Sequence, residues 1–60
     1  MKTYIFSFVA EVCGEKVIKD IRERVSVCED LMGVKERHAM ALEKEFEKPF
    51  MCVEIREVTE

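Results

Sequence analysis

The stretch that decides the fold is TYIFSFVAEV, residues 3–12. It is rich in aromatic and β-branched side chains and contains neither Pro nor Gly, as is typical of a β-strand. Its even-numbered positions are all apolar, whereas its odd-numbered positions include Ser7 and Glu11 beside apolar residues. A strand that is apolar on one face and partly apolar on the other suits the centre of a sheet. We therefore predict that residues 3–12 form a central strand.

A second strand is predicted directly after the first, across a tight turn. The turn is CGEK, residues 13–16, where Gly14 can adopt the positive φ of a two-residue hairpin loop. Residues 16–27, KVIKDIRERVSV, have a spacing that fits a strand or a helix, but their apolar members are nearly all β-branched, which disfavours a helix. A loop beginning at position 13 or at position 14 also aligns the apolar faces of both strands. We predict a strand here, with residues 17–47 as two helices being the alternative.

A helix and a third strand complete the predicted order. Residues 26–29, SVCE, match a capping box, and the helical composition continues to Glu47, just before Pro49. The predicted buried stripe of this helix is Cys28, Leu31, Met32, Ala39, Leu42 and Phe46. Residues 50–58, FMCVEIREV, alternate as a strand with Met51, Val53 and Ile55 directed at the helix.

These elements predict one α+β domain spanning residues 1–60, with the order β-β-α-β. The three strands form an antiparallel sheet in the order 2-1-3, and the helix covers one face. The other face of the sheet, here called the open face, is left uncovered. We expect apolar residues and arginines there, which together are typical of a contact surface. Its predicted contact residues are Ile5, Val9, Ile18, Arg22, Arg24, Phe50 and Arg56.

A second contact surface is predicted on the flank of the helix, at Val34, His38 and Ala41. Because a chain of 60 residues has a small core, self-association is an expected source of further stability. We predict a small interaction module that forms a homodimer and can also bind another protein. The alternative is a module that binds nucleic acid on the open face, although 13 acidic against 10 basic residues argue against it.

The sequence predicts no catalytic, metal or cofactor site. Its potential metal ligands Cys13, Cys28, Cys52 and His38 have none of the spacings of zinc sites, and two glycines cannot build a phosphate loop. An odd number of cysteines favours reduced thiols and a cytoplasmic protein. No apolar run approaches the roughly 20 residues of a membrane span. We therefore expect a protein that is not an enzyme.

The chain as a whole resembles the small accessory proteins of temperate phages and prophages. The resemblance lies in its length of 60 residues, its acidic charge, its opening residues MKTYI and its lack of an active-site signature. It implies a protein that acts by binding a host or phage protein, and it assigns a role to no individual residue.

Overall fold

A computed structural model describes residues 1–58 of the chain. In chain order they form strand β1 (Lys2–Val12), strand β2 (Glu15–Val25), helix α1 (Leu31–Phe46) and strand β3 (Met51–Val58). The sheet has the order β2-β1-β3 with both neighbouring pairs antiparallel, and α1 packs on one face. The predicted α+β fold and strand order are therefore confirmed, and residues 15–25 form a strand rather than a helix.

The loop between β1 and β2 consists of Cys13 and Gly14. Their φ angles are 53° and 79°, and a type I′ turn requires such positive values at both central positions. This turn matches the right-handed twist of the two strands and pairs Val12 with Glu15 and Phe6 with Ile21. Of the two predicted loops, the one beginning at position 13 is the one that forms.

A β-bulge on β3 changes which residues of this strand face the helix. The register with β1 runs from Ser7 opposite Glu54 directly to Phe8 opposite Cys52, so that Val53 is the extra residue. The prediction that Met51 and Val53 face the core is wrong, since they are 69% and 57% exposed. Phe50, just before the strand, is instead buried at 8%.

Helix α1 begins four residues later than the capping box at Ser26 suggests. The N-cap is Asp30, whose Oδ1 accepts a hydrogen bond from the Met32 amide at 3.2 Å. Ser26 instead closes a turn before the helix, where its carbonyl oxygen accepts from the Glu29 amide at 3.0 Å. The helix ends at Phe46, and its C-cap Glu47 adopts the left-handed conformation with a φ of 57°.

The core lies between α1 and the sheet. Phe6 and Phe8 have no exposed surface, and the ring of Phe46 lies 5.2 Å from that of Phe50. Four residues of the predicted stripe do pack in or against the core, namely Leu31, Ala39, Leu42 and Phe46. The predictions for Cys28 and Met32 are wrong, because Cys28 precedes the helix and is exposed and Met32 is 54% exposed, and Val34 is buried instead. The buried apolar residues are Phe6, Phe8, Val25, Val34, Leu42 and Phe50.

Helix α1 has 16 residues and is too short and too polar to cross a membrane, and the structure describes no other helix in residues 1–58.

Candidate interaction surface

The open face consists of side chains from all three strands, and the strand registers arrange them in rows across the sheet. Odd-numbered residues of β1 and even-numbered residues of β2 point away from the helix, since successive side chains of a strand alternate between faces. Each row has one residue from β2, one from β1 and one from β3. In that order the rows are Ile18, Val9, Met51 (the apolar row), then Asp20, Ser7, Glu54 (the acidic row), then Arg22, Ile5, Arg56 (the basic row), and last Arg24, Thr3, Val58.

The apolar row lies nearest the hairpin and carries exposed hydrophobic surface. Ile18 is 59% exposed and Met51 is 69% exposed, and Val9 between them is half-buried. Large apolar side chains at this exposure on adjacent strands form a continuous apolar strip, which is a feature of contact surfaces.

The acidic and basic rows are neighbours on the open face and carry opposite charges. The residues of the sheet that lie between these two rows, including Phe6, point to the helix side. Asp20 and Glu54 lie at the two ends of the acidic row, and Arg22 and Arg56 lie at the two ends of the basic row. Arg56 Nε lies 3.2 Å from Glu54 Oε1, and both side chains are more than half exposed. The sign of the charge therefore inverts along both outer strands.

The prediction that Phe50 lies on the open face is wrong. The bulge at Val53 places Cys52 opposite Phe8 on the helix side, and Phe50 packs beside Phe46 in the core. Met51, which was predicted to be buried, occupies the open face instead, opposite Val9. The alternation of residues 50–53 does not reveal this exchange, because all four are apolar.

The predicted helix flank is only partly available for contact. Val34 is 4% exposed and belongs to the core, so its prediction as a contact residue is wrong. His38 faces the sheet, where its Nε2 lies 2.8 Å from Oε1 of Glu23 and its ring lies 5.8 Å from that of Phe6. Ala41 is exposed.

Glu23 joins the helix to β2 through both carboxylate oxygens. Oε1 accepts from His38, and Oε2 accepts from the guanidinium of Arg37 at 3.0 Å. Glu23 is an odd-numbered residue of β2 and lies on the helix side of the sheet, with its side chain 26% exposed. This cluster is a structural contact that orients α1 over β2.

A shallow cleft of about 500 Å³ continues the open face beyond the apolar row. It forms beside the first residue of β3, Met51, where β1 and β2 continue past β3 toward the hairpin. The lining residues are Val9, Ala10, Glu11, Gly14, Lys16, Pro49 and Met51. The cleft contains one acid, one base and no histidine or cysteine, and it extends the apolar strip rather than forming a separate pocket.

Among residues 1–58, no group of three or more His, Cys, Asp or Glu side chains is placed to hold a metal ion. Cys13, Cys28 and Cys52 are free thiols, the first two of them exposed.

No protein-family model, no curated protein sequence and no solved structure matches this chain.

The aromatic side chains lie away from the open face. Tyr4, Phe6 and Phe8 are even-numbered residues of β1 and point to the helix side, and Phe46 and Phe50 stack on each other there. Sheets that bind single-stranded nucleic acid use exposed aromatic rings as stacking platforms. In residues 1–58 the open face therefore carries no aromatic side chain.

Proposed function

We propose that this chain is a small interaction protein that acts by contact rather than by catalysis, and that its open face binds a second copy of the same chain. The observation that carries this proposal is the inversion of charge between the acidic row and the basic row. A symmetric dimer brings the same surface of both copies together, so its surface must be complementary to itself. The two central rows of the open face, which are equal and opposite on either side of one line, have this property.

The line is the row that contains Ile21, Phe6 and Ile55, between the acidic and basic rows. A twofold axis parallel to this line, lying between two stacked sheets, superposes the acidic row of each copy on the basic row of the other. Asp20 then faces the second copy's Arg22, and Glu54 faces the second copy's Arg56. Stacked sheets lie about 10 Å apart, a distance that an arginine reaching from one sheet and a carboxylate from the other span together.

The size of the open face predicts a weak dimer. Three strands about 4.8 Å apart and eight residues long cover on the order of 400 Å² per copy. Stable interfaces of standard size bury roughly 800 Å² per partner. The contact is therefore expected to respond to protein concentration.

The proposal places the protein in the cytoplasm, where reducing conditions preserve thiols. Three free cysteines, two of them exposed, support this location. A role in binding also agrees with the resemblance to small phage accessory proteins.

The experiment is light scattering over a wide range of protein concentration, under reducing conditions, with wild type and Ile5→Glu. Ile5 lies in the basic row on the central strand β1, whose backbone is paired on both sides. A glutamate there changes the charge of the open face without touching a sheet edge. The matched control is Met40→Glu, which adds the same charge at a helix position that is 68% exposed.

We expect the wild type and Met40→Glu to reach at least twice the chain mass of 7.1 kDa, and Ile5→Glu to have a lower mass at every concentration. Equal masses for the wild type and a folded Ile5→Glu would overturn the proposal. Salt-sensitive binding of a single-stranded oligonucleotide that Ile5→Glu abolishes would also overturn it, because the face would then serve nucleic acid.

A further inference from the structure

The outer edge of β2 is a second surface of this domain that is complementary to itself. In the order β2-β1-β3, β2 pairs with β1 on one side, and its other side is an edge of the sheet eleven residues long. Sheet edges display backbone N–H and C=O groups that can pair with another strand. The edge and the open face are different surfaces, because one offers backbone and the other offers side chains.

The hairpin determines which residues of β2 direct their backbone groups outward. The two-residue loop pairs Val12 with Glu15 through the turn hydrogen bond, and hydrogen-bonded pairs then recur at every second position. The odd-numbered residues of β2 therefore bond to β1. The N–H and C=O groups of even-numbered residues such as Ile18 and Asp20 point away from β1, toward the edge.

Along this edge, residues at equal distances before and after Ile21 carry opposite charges. Residues 19–23 read KDIRE, so a base and an acid precede Ile21 and a base and an acid follow it. We propose that β2 pairs antiparallel with β2 of a second copy about a twofold axis at Ile21, joining both sheets into one. Asp20 then lies opposite the second copy's Arg22, and Lys19 lies opposite the second copy's Glu23.

The apolar residues of β2 agree with the same register. Ile21 meets its own copy at the axis, and Val17 lies opposite the second copy's Val25. Directly opposed residues of an antiparallel pair share a face, so these contacts fall on the helix side, where both valines and Ile21 already pack against the core. The joint sheet therefore extends both hydrophobic cores toward each other.

Neighbouring registers are excluded by charge. An axis at Asp20 would oppose Asp20 to itself and Lys16 to the second copy's Arg24. An axis at Arg22 would oppose Arg22 to itself. Like charges directly opposite each other in a sheet are destabilising, so the charge pattern selects the register centred on Ile21.

The helices of both copies would lie on the same side of the joint sheet. A twofold axis perpendicular to the sheet places both helices on the same side of the joint sheet, next to each other across the seam. Arg37 bonds to Glu23 on β2, so the flank of α1 that carries Arg37 leans toward this edge. Ala41, one turn further along that flank, is exposed and small, which permits a close approach of two helices.

This inference deepens the proposed self-association by adding a second contact, made with a different copy from the one that binds the open face, and the two contacts fail separately. The first test compares Asp20→Pro with Asp20→Ala by light scattering. Proline removes an amide proton that points away from β1, and edge strands tolerate proline at such positions. Both variants lose the carboxylate, so their difference isolates the backbone of the edge.

We expect Asp20→Pro to raise the dissociation constant about tenfold or more relative to Asp20→Ala. Combined with Ile5→Glu, it should give a monomer. Equal dissociation constants for Asp20→Pro and Asp20→Ala would overturn the proposed edge contact but not the proposed contact of the open face. An effect of Asp20→Pro without any effect of Ile5→Glu would establish the edge contact and overturn the proposed role of the open face.

A second variant guards against misfolding of Asp20→Pro. Lys19 is on the helix side, away from the open face, and Lys19→Glu would oppose two acids at the seam. The matched control Lys48→Glu makes the same charge change just beyond the helix. We expect Lys19→Glu alone to weaken association several-fold, and equal association of the two variants would overturn the proposal.

Discussion

On the helix side of the sheet Phe6 and Phe8 have no exposed surface, whereas on the open face Ile5 and Val9, their neighbours in β1, are half-buried. The two sets of residues alternate along one strand, so the backbone environment is shared and only the direction of the side chains differs. The helix side is filled by aromatic rings, and the open face carries rows of charge beside an apolar strip. The helix side therefore carries the core, and the opposite face of the same three strands carries the proposed contact.

This difference predicts that neighbouring substitutions have separate effects. A change on the helix side should alter the free energy of unfolding, and a change on the open face should alter association with little effect on the monomer. The sharpest comparison is at the start of β3, where Phe50 and Met51 are adjacent in sequence but lie on opposite sides.

We expect Phe50→Ala to lower the free energy of unfolding by about 3 kcal/mol, because a buried ring is removed and a cavity is left beside Phe46. Met51→Ala should lower it by less than about 0.5 kcal/mol, because Met51 is 69% exposed. Urea unfolding of both variants, at a concentration where the protein is monomeric, measures the difference. Comparable losses, or a larger loss for Met51→Ala, would show that β3 continues without a bulge and that its two faces are exchanged.

The faces of β1 and β2 were predictable because the even-numbered positions of β1 are all apolar and the hairpin aligns β2 with them. The faces of β3 were not predictable, because residues 50–53 are all apolar. Their alternation fits equally well with Phe50 on the helix side or on the open face. The bulge at Val53 allows Phe50 to reach Phe46 while Glu54 and Arg56 stay on the open face. That choice depends on a contact with the helix, which no local pattern of the strand contains.

Ion pairs on the two faces provide a second comparison. Glu23 on the helix side binds Arg37 and His38, and its side chain is 26% exposed. Glu54 on the open face pairs with Arg56, and its side chain is 56% exposed. Because the Glu23 carboxylate is already held by His38, less side-chain entropy is lost when Arg37 binds to it.

Double-mutant cycles with alanine measure the coupling in each pair. We expect about 0.5–1 kcal/mol between Glu23 and Arg37, and roughly 0–0.3 kcal/mol between Glu54 and Arg56. The cycles use the monomer, since Glu54 and Arg56 also lie in the proposed contact. A coupling at Glu54 as large as that at Glu23 would mean that the open face contributes to stability in the same way as the helix side.

The charge rows of the open face could not be predicted, because they depend on the register between β1 and β2. The sequence left two hairpin loops possible, and each gives a different register. Both loops direct the same side chains outward, which is why the sequence alone places Ile5, Val9 and Ile18 on the open face. Only the loop at Cys13 and Gly14 places the acidic residues of β2 and β3 in one row. The rotation of the helix was harder to predict, because apolar residues at Met32 and at Val34 support two different stripes.

The smallest expected effect concerns Lys2 and Glu57, at the end of the sheet farthest from the hairpin. Lys2 Nζ lies 3.2 Å from Glu57 Oε1, and a hydrogen bond to this carboxylate, together with its negative charge, raises the pKa of Lys2 above its ordinary value of 10.5. A lysine whose pKa is higher in the folded than in the unfolded chain stabilises the fold fully below pH 10.5. This contribution is lost as the pH rises through the folded pKa.

We therefore expect Glu57→Gln to lower the melting temperature slightly below pH 10.5, and the difference from the wild type to fade above it. The matched control is Glu54→Gln, which removes the same charge beside Arg56 on the open face. Because arginine keeps its charge over this range, any small effect of Glu54→Gln should persist at high pH. If the effect of Glu57→Gln were instead constant with pH, the loss would come from packing of the side chain at Glu57 and not from its charge on Lys2.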